Sequence, residues 1–184
     1  MANHDLTGVL LVGGASTRFG SPKALARIDG ETLAERAWRV LGEACGERIA
    51  VGKAADGLDL PFELLDDGSD ARAPIAGLVA GLRAATHDRV AVIPVDLPLL
   101  TAASLQALAA RCRDAATPPS GPLPGVYRTS TLPAFERALA AGEYRLRDVL
   151  EQLDVAILEL DETELANVNE PADLERLTNR VRSA

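Results

Sequence analysis

At 184 residues and 19.3 kDa the chain is long enough for one domain with a full core and too short for two. Hydrophobic residues at 47% and charged residues at 25% give the balance of a soluble globular protein, and no apolar stretch approaches the ~18–20 residues that a bilayer span requires. A net charge of −8 without a basic run, and only 3% aromatic residues, leave neither the basic surface nor the stacking platform on which nucleic-acid binding draws. The N-terminal Met-Ala-Asn-His-Asp lacks the basic-then-apolar layout of a secretion leader, so a cytoplasmic protein without a membrane partner is expected. Cys45 and Cys112 sit inside apolar helical patterns and read as buried free thiols. His4 and His87 are too few for a zinc site or a Ser-His-Asp hydrolase, so any metal would be a hard cation on carboxylates and phosphates.

Strand and helix patterns alternate along the chain. Gly8–Val12 is a short continuous apolar run ending at Gly13-Gly14, the pattern of a strand buried on both faces. After a polar loop, Leu33, Ala37, Val40, Leu41 and Ala44 fall at helical spacing. Ile49–Val51 and Phe62–Leu65 are the next two predicted strands. Pro74 suits the first turn of a helix whose Ile75, Leu78, Val79 and Leu82 share one face. Val90–Val95 is the most strand-like run and stops at Asp96-Leu97-Pro98, after which Thr101 caps a helix carrying Leu105, Leu108 and Ala109. The proline-rich Asp114–Pro124 segment reads as an irregular loop, Gly125–Arg128 as a short strand, and Leu132–Ala141 as a helix closed by Gly142. A short helix over Arg145–Gln152, a strand over Val155–Leu160 and a helix opened by Pro171, with Leu174 and Leu177 on its apolar face, finish the succession. Such alternation predicts one α/β domain over residues 1–184, a Rossmann-like three-layer α/β/α arrangement on a mostly parallel sheet. Ligands in such sheets bind beyond the carboxyl ends of the strands, where Gly13–Lys23, Asp66–Gly77 and Asp96–Pro98 fall.

Leu11 to Lys23 reads Leu-Val-Gly-Gly-Ala-Ser-Thr-Arg-Phe-Gly-Ser-Pro-Lys. A glycine pair directly after a buried strand lets a ligand approach the backbone and turns N–H groups toward phosphate oxygens, while Arg18 and Lys23 add fixed positive charge. The spacing fits neither the Walker loop nor the dinucleotide fingerprint, and a plain glycine turn beside two solvated cations is the other reading. Of the 19 basic residues only Lys23 and Lys53 are lysines, which singles both out. Asp96 has two readings as well: a turn-forming cap, or the one carboxylate of a Mg²⁺ site completed by phosphate oxygens and water.

The Leu11–Lys23 run resembles the signature Leu-x-Gly-Gly-x-x-x-Arg-Met-Gly-x-x-Lys of the nucleotidyltransferases of the nucleotide-diphospho-sugar transferase fold, with Phe19 in place of methionine. Ala73-Pro74-Ile75-Ala76-Gly77, Pro94-Val95-Asp96-Leu97-Pro98 and Asn167-Val168-Asn169-Glu170-Pro171-Ala172-Asp173-Leu174 extend the likeness in order across most of the chain. Together they are most similar to the molybdenum cofactor guanylyltransferase family, which joins GMP from GTP to the molybdopterin phosphate and releases pyrophosphate. The resemblance implies that Leu11, Val12, Gly13 and Gly14 hold the nucleotide through backbone groups and that Lys23 meets its phosphates. It implies further that Asp66, or Asp67 after a one-residue shift, contacts the nucleotide, that Asp96 binds Mg²⁺, and that Asn167 and Asn169 lie on the acceptor side.

Three features depart from the family pattern. Gly52 stands where asparagine is common, Glu170 stands where threonine is usual, and a strand and turn usual before Pro122–Arg128 are compressed into the proline-rich loop. The implied chemistry is attack of an acceptor phosphate on the α-phosphorus of GTP, with Arg18, Lys23 and Mg²⁺ on Asp96 neutralising charge. The substrates would be GTP and a molybdopterin-type acceptor, and the protein would be a monomer or weak homo-oligomer. A sister enzyme using CTP or a sugar-phosphate acceptor, and a nucleotide-binding regulatory module without catalysis, are the alternatives.

Overall fold

In the computed structural model, which describes residues 3–13, 22–170, 172–174 and 176, the chain opens on strand β1 (Asn3–Leu11). A hairpin of β2 (Arg27–Ile28) and β3 (Glu31–Thr32) leads into helix α1 (Leu33–Ala44) and strand β4 (Cys45–Gly52). Strand β5 (Leu64–Asp66), helix α2 (Pro74–Ala84) and strand β6 (Arg89–Pro94) follow. Helix α3 (Ala102–Arg111) precedes strands β7 (Ala115–Thr117) and β8 (Gly125–Arg128), and helices α4 (Leu132–Ala140) and α5 (Leu146–Leu150) precede strand β9 (Val155–Ile157).

The seven-stranded sheet has the order β5-β4-β1-β6-β8-β7-β9, and β8 alone runs against its neighbours. The Rossmann-like three-layer arrangement read from the sequence is therefore present. Because the central strands are covered on both faces, β1 alternates between two cores. Leu6 and Leu10 pack with α1 and α3, whereas Val9 and Leu11 pack with α2, α4 and α5.

Local chemistry explains how the helices seat on this sheet. Thr32 and Glu35 form a reciprocal cap at the start of α1: the Glu35 N–H donates to Thr32 Oγ1 at 3.1 Å and the Thr32 N–H to Glu35 Oε2 at 2.8 Å. Pro74 opens α2 where its missing N–H costs nothing. Gly77 and Gly81 let that helix lie directly on β1, since a Cβ would stand 2.8 Å from Leu11 Cδ2 at Gly77 and 2.7 Å from Val9 Cγ1 at Gly81. The end of β1 is thereby clamped beneath the first turns of α2.

Several boundaries differ from the sequence reading. β1 starts at Asn3 rather than Gly8, because β4 gives even its polar first residue a ladder partner, Cys45. The polar stretch before α1 contains the β2–β3 hairpin, closed by Asp29 and Gly30 with φ of +50° and +86°. Positive φ at both central residues is the type I′ turn that an Asp-Gly pair favours. The segment Asp114–Pro124 is not wholly irregular. Ala115–Thr117 forms β7, fully buried between β8 and β9, so a strand is present there and only Asp114 and Pro118–Pro124 remain loop. Three small residues carry too little pattern to signal a strand, and neighbours on both sides supply the stability that propensity lacks. Of the C-terminal helix the structure describes 172–174 and 176; Pro171 and Leu177 lie outside the described residues.

Candidate active site

β1, β4, β5 and β6 all end on the same edge of the sheet, and two adjoining features are built there. The first is centred on Lys23, which begins a short 3₁₀ turn (Lys23–Leu25) after Pro22. Its Nζ donates to Asp96 Oδ2 at 3.2 Å and to Asn169 Oδ1 at 3.3 Å. The Lys23 and Asp96 side chains are 16% and 23% exposed, so the pair is largely shielded from water.

Asp96 is held there by its surroundings. Leu97 and Leu100 bury themselves in the core beneath the loop after β6, and Arg36 Nε donates to the Pro98 carbonyl at 2.6 Å. The Asp96 carbonyl in turn accepts the Val168 N–H at 2.9 Å. Val168 is fully buried, and the exposed Asn167 and Asn169 flank it on the extended segment. Asp173 Oδ2 accepts the N–H groups of Asn169 and Glu170 at 2.7 and 2.9 Å, and these bonds hold its carboxyl below the usual carboxylate range. Three motifs separated by most of the chain thus meet at one ammonium. Gly14 and Arg18 lie outside the described residues.

The second feature is a cleft of about 100 Å³ between the ends of β1 and β4 and the start of α2. Leu11, Gly13, Val51, Gly52, Ala73, Pro74 and Gly77 form its apolar walls, and Lys53, Asp67 and Arg72 bring charge to it. The Val12 N–H donates to the Val51 carbonyl at 2.9 Å and extends the strand ladder, so Gly13 is the first exposed residue beyond β1. Asp66 and Asp67 have different surroundings. Asp66 is exposed, and its two oxygens accept the N–H groups of Ala54 at 2.6 Å and Gly68 at 2.8 Å, which keep its carboxyl below the ordinary value. Asp67 faces the cleft and pairs with Lys53 at 2.6 Å.

Among the described residues no group of three His, Cys, Asp or Glu side chains converges in a cage for a metal. A cation held by Asp96 would not sit in an all-protein cage, and substrate oxygens and water would have to complete its shell, an arrangement that suits Mg²⁺. Among the described residues Asp96 Oδ1 accepts no hydrogen bond, and no buried side-chain oxygen lacks a partner, so that oxygen is open to the site. The residues present fit such an ion.

This architecture has known counterparts. Residues 8–157 match the family model of the MobA-like NTP transferase domain. The chain belongs to this family. Relatives of the MobA-like domain include a probable molybdenum cofactor guanylyltransferase of Deinococcus radiodurans, 38% identical with 95% of each chain covered. Another of that name from Chloroflexus aggregans is 37% identical over 77% of this chain and 74% of its own. Among solved structures, molybdopterin-guanine dinucleotide biosynthesis protein A from Archaeoglobus fulgidus superposes with a TM-score of 0.81 at 25% identity, covering 97% of this chain and 100% of that one. The fold extends to 2-C-methyl-D-erythritol 4-phosphate cytidylyltransferase from Thermus thermophilus, with a TM-score of 0.74 at 21% identity over 95% of this chain and 98% of that one. The chain is thus a MobA-like nucleotidyltransferase. Among the described residues no helix is long and apolar enough to cross a membrane.

Sequence reasoning assigned no role to Lys53 or Arg72. Lys53 carried a signal in being one of two lysines and directly following a strand end, whereas Arg72 is one arginine among many and gave none.

Proposed function

We propose that the chain transfers GMP from GTP to the phosphate of molybdopterin, forming the guanine dinucleotide cofactor and releasing pyrophosphate. The observation that carries this reading is the meeting of Lys23, Asp96 and Asn169 beside an apolar cleft, with the family's motifs at each position. A phosphate oxygen of the acceptor forms a bond to the α-phosphorus, the bond from that phosphorus to its β-bridging oxygen breaks, and the electron pair leaves with pyrophosphate. The acceptor phosphate is already an anion at neutral pH, so no side chain need remove a proton.

Catalysis then rests on positioning two polyanions and offsetting their charge. Lys23 meets the β and γ phosphates, with Arg18 as a second cation. Gly13 and Gly14 let the phosphates approach the backbone, beside Leu11 and Val12, while Asp66 steadies the loop beside the nucleotide. Asn167 and Asn169 face the acceptor. Asp96 would hold Mg²⁺, which when bound supplies positive charge to the triphosphate and its leaving group. The reading places the enzyme in the cytoplasm, acting on two small molecules.

The test supplies GTP, Mg²⁺ and molybdopterin to the purified protein. Pyrophosphate release that requires all three is expected. Tight GTP binding with no release would contradict the proposal and favour a binding module, and release from CTP alone would favour a sister transferase.

A further inference from the structure

Lys23 and Asp96 reach the site from two separate parts of the fold. Lys23 belongs with α1: the Ala26 N–H donates to the Lys23 carbonyl at 3.0 Å, and the N–H of Leu33, the first residue of α1, donates to the Ala26 carbonyl at 2.8 Å. Ala24, Ile28 and Leu33 are buried at this corner, so the 3₁₀ turn, the β2–β3 hairpin and the start of α1 form one packed unit. Asp96 belongs with the loop after β6, anchored by Leu97 and Leu100. The Lys23–Asp96 contact at 3.2 Å joins the two units in this state. That contact is surrendered in the reaction proposed above, where the ammonium turns to phosphate oxygens and the carboxylate to a cation.

A second contact between the units takes no part in that exchange. Arg36, in the first turn of α1, donates from Nε to the Pro98 carbonyl at 2.6 Å, two residues beyond Asp96. Proline has no N–H, so this carbonyl is the only hydrogen-bonding group of Pro98, and a charged donor at that distance makes a strong, directional bond. Arg36 Nη1 lies 3.7 Å from Glu31 Oε2 in β3, and Arg39 holds the same carboxylate through Nε at 3.1 Å and Nη2 at 3.2 Å. The Arg36 guanidinium is thus braced on the hairpin at one end and bonded to the Asp96 loop at the other. The leucines beneath the loop keep it on the core, but apolar packing is not directional and does not by itself fix the loop's position along α1.

We infer that Arg36 is a positioning residue: through its bond to the Pro98 carbonyl it fixes Asp96 relative to Lys23 while both exchange partners. This rests on the nucleotidyl-transfer reading above and adds to it a residue that acts through the backbone of the Asp96 loop. A displacement of about 1 Å in a group that orients reactants is enough to cost on the order of a hundredfold in rate. The bond, rather than the charge, carries the role, because Nε is the atom that meets the loop.

The experiment compares Arg36→Gln and Arg36→Met with the parent, alone and combined with Asp96→Asn. Glutamine carries an amide nitrogen directly on Cδ, where arginine carries Nε, and so keeps the Pro98 bond without the charge; methionine keeps an apolar stem and loses the donor. Arg36→Met should lower kcat at least about tenfold with the KM for GTP changed less than about threefold, and Arg36→Gln should stay within about threefold of the parent in both. A second readout needs no acceptor. Mg²⁺ should raise the affinity of the parent for GTP over a titration in EDTA, and Arg36→Met should lose most of that gain while binding metal-free GTP within about threefold of the parent. On the Asp96→Asn background Arg36→Met should cost less than about a further twofold in turnover, because the residue acts through Asp96. Methionine is a good helix former, so the variant should fold, and a glutamine kcat more than about tenfold below the parent overturns the inference whether it does or not. A methionine variant that melts lower yet keeps the parental kcat and Mg²⁺ gain would make Arg36 a structural strut and overturn the inference, as would full additivity with Asp96→Asn or a parent indifferent to Mg²⁺. A parent that binds Mg·GTP but releases no pyrophosphate would fail the transfer reading instead, and the Mg²⁺ gain would still decide the role of Arg36.

Discussion

Asp96→Asn keeps the shape of the side chain and removes its charge, which separates a metal ligand from a turn former. Lys23 Nζ lies 3.2 Å from Oδ2, and the two side chains are 16% and 23% exposed. At that separation and an effective dielectric of ~20 the Coulomb attraction is on the order of 5 kcal/mol before desolvation. Desolvation and side-chain ordering offset most of it, and an asparagine carbonyl still accepts a bond from the ammonium, so the net loss is about 1 kcal/mol. For a chain of this size the melting temperature of the ligand-free protein should fall by roughly 2–4 °C. A protein with a stability of ~5–15 kcal/mol remains folded after such a loss. Turnover should nevertheless drop at least about a hundredfold, or ~2.7 kcal/mol, the scale of removing one preorganised electrostatic element. The assay is a paired melt and initial-rate measurement on both proteins, with and without Mg·GTP. At a ligand concentration of about 100 Kd the parent should gain ~2.7 kcal/mol, and the variant only a small part of it. A variant that melts a few degrees lower yet turns over close to the parental rate would refute the assignment of Asp96 to the reaction.

Three further outcomes follow from other parts of the molecule. Lys23→Ala should weaken GTP binding at least about tenfold and GMP binding much less, because the ammonium is aimed at the outer phosphates; equal losses in a titration of both ligands would contradict that placement. Gly81→Ala should cost ~1–3 kcal/mol in a denaturant melt, and Val9→Ala in the same chain should recover part of it; parental stability in the single variant would refute the close contact between α2 and β1. For Glu47, burial alone would push the carboxyl up, but hydrogen bonds from the Thr7 hydroxyl and from the N–H and hydroxyl of Thr86 outweigh it and hold it below its ordinary value. A depressed carboxyl stabilises the fold fully above the unfolded value of ~4.3 and loses that contribution as pH falls through its folded value. The melting temperature of the parent should therefore decline more steeply with acid than that of Glu47→Gln, and parallel profiles would contradict the sign.

How much of this was legible in the sequence depends on the kind of information each feature needed. The helix α1 and its start were visible because Leu33, Ala37, Val40, Leu41 and Ala44 repeat at helical spacing, and all five are buried. The Lys23, Asp96 and Asn169 motifs were visible singly, but only the sheet order and the Val168 N–H to Asp96 carbonyl bond bring them together. β7 was not legible, because Ala115–Thr117 owes its strand character to β8 and β9 rather than to its own residues. The β2–β3 hairpin has a signal in Asp29-Gly30, but its two-residue strands are too short to show an alternating pattern. The different surroundings of Asp66 and Asp67 could not be read at all, since adjacent carboxylates are distinguished here only by tertiary partners: the Ala54 N–H on Asp66, and Lys53 and the cleft at Asp67.

The central claim is that the protein moves the α-phosphoryl nucleotide and expels the other two phosphates together. The direct measurement supplies molybdopterin and Mg²⁺ with GTP labelled at either the α or the γ phosphate, and follows the label by chromatography. The account predicts that the α label enters the pterin product in step with the loss of GTP and that the γ label is recovered as pyrophosphate. Recovery of the γ label on the acceptor or as inorganic phosphate, with the α label left in GDP, would contradict it.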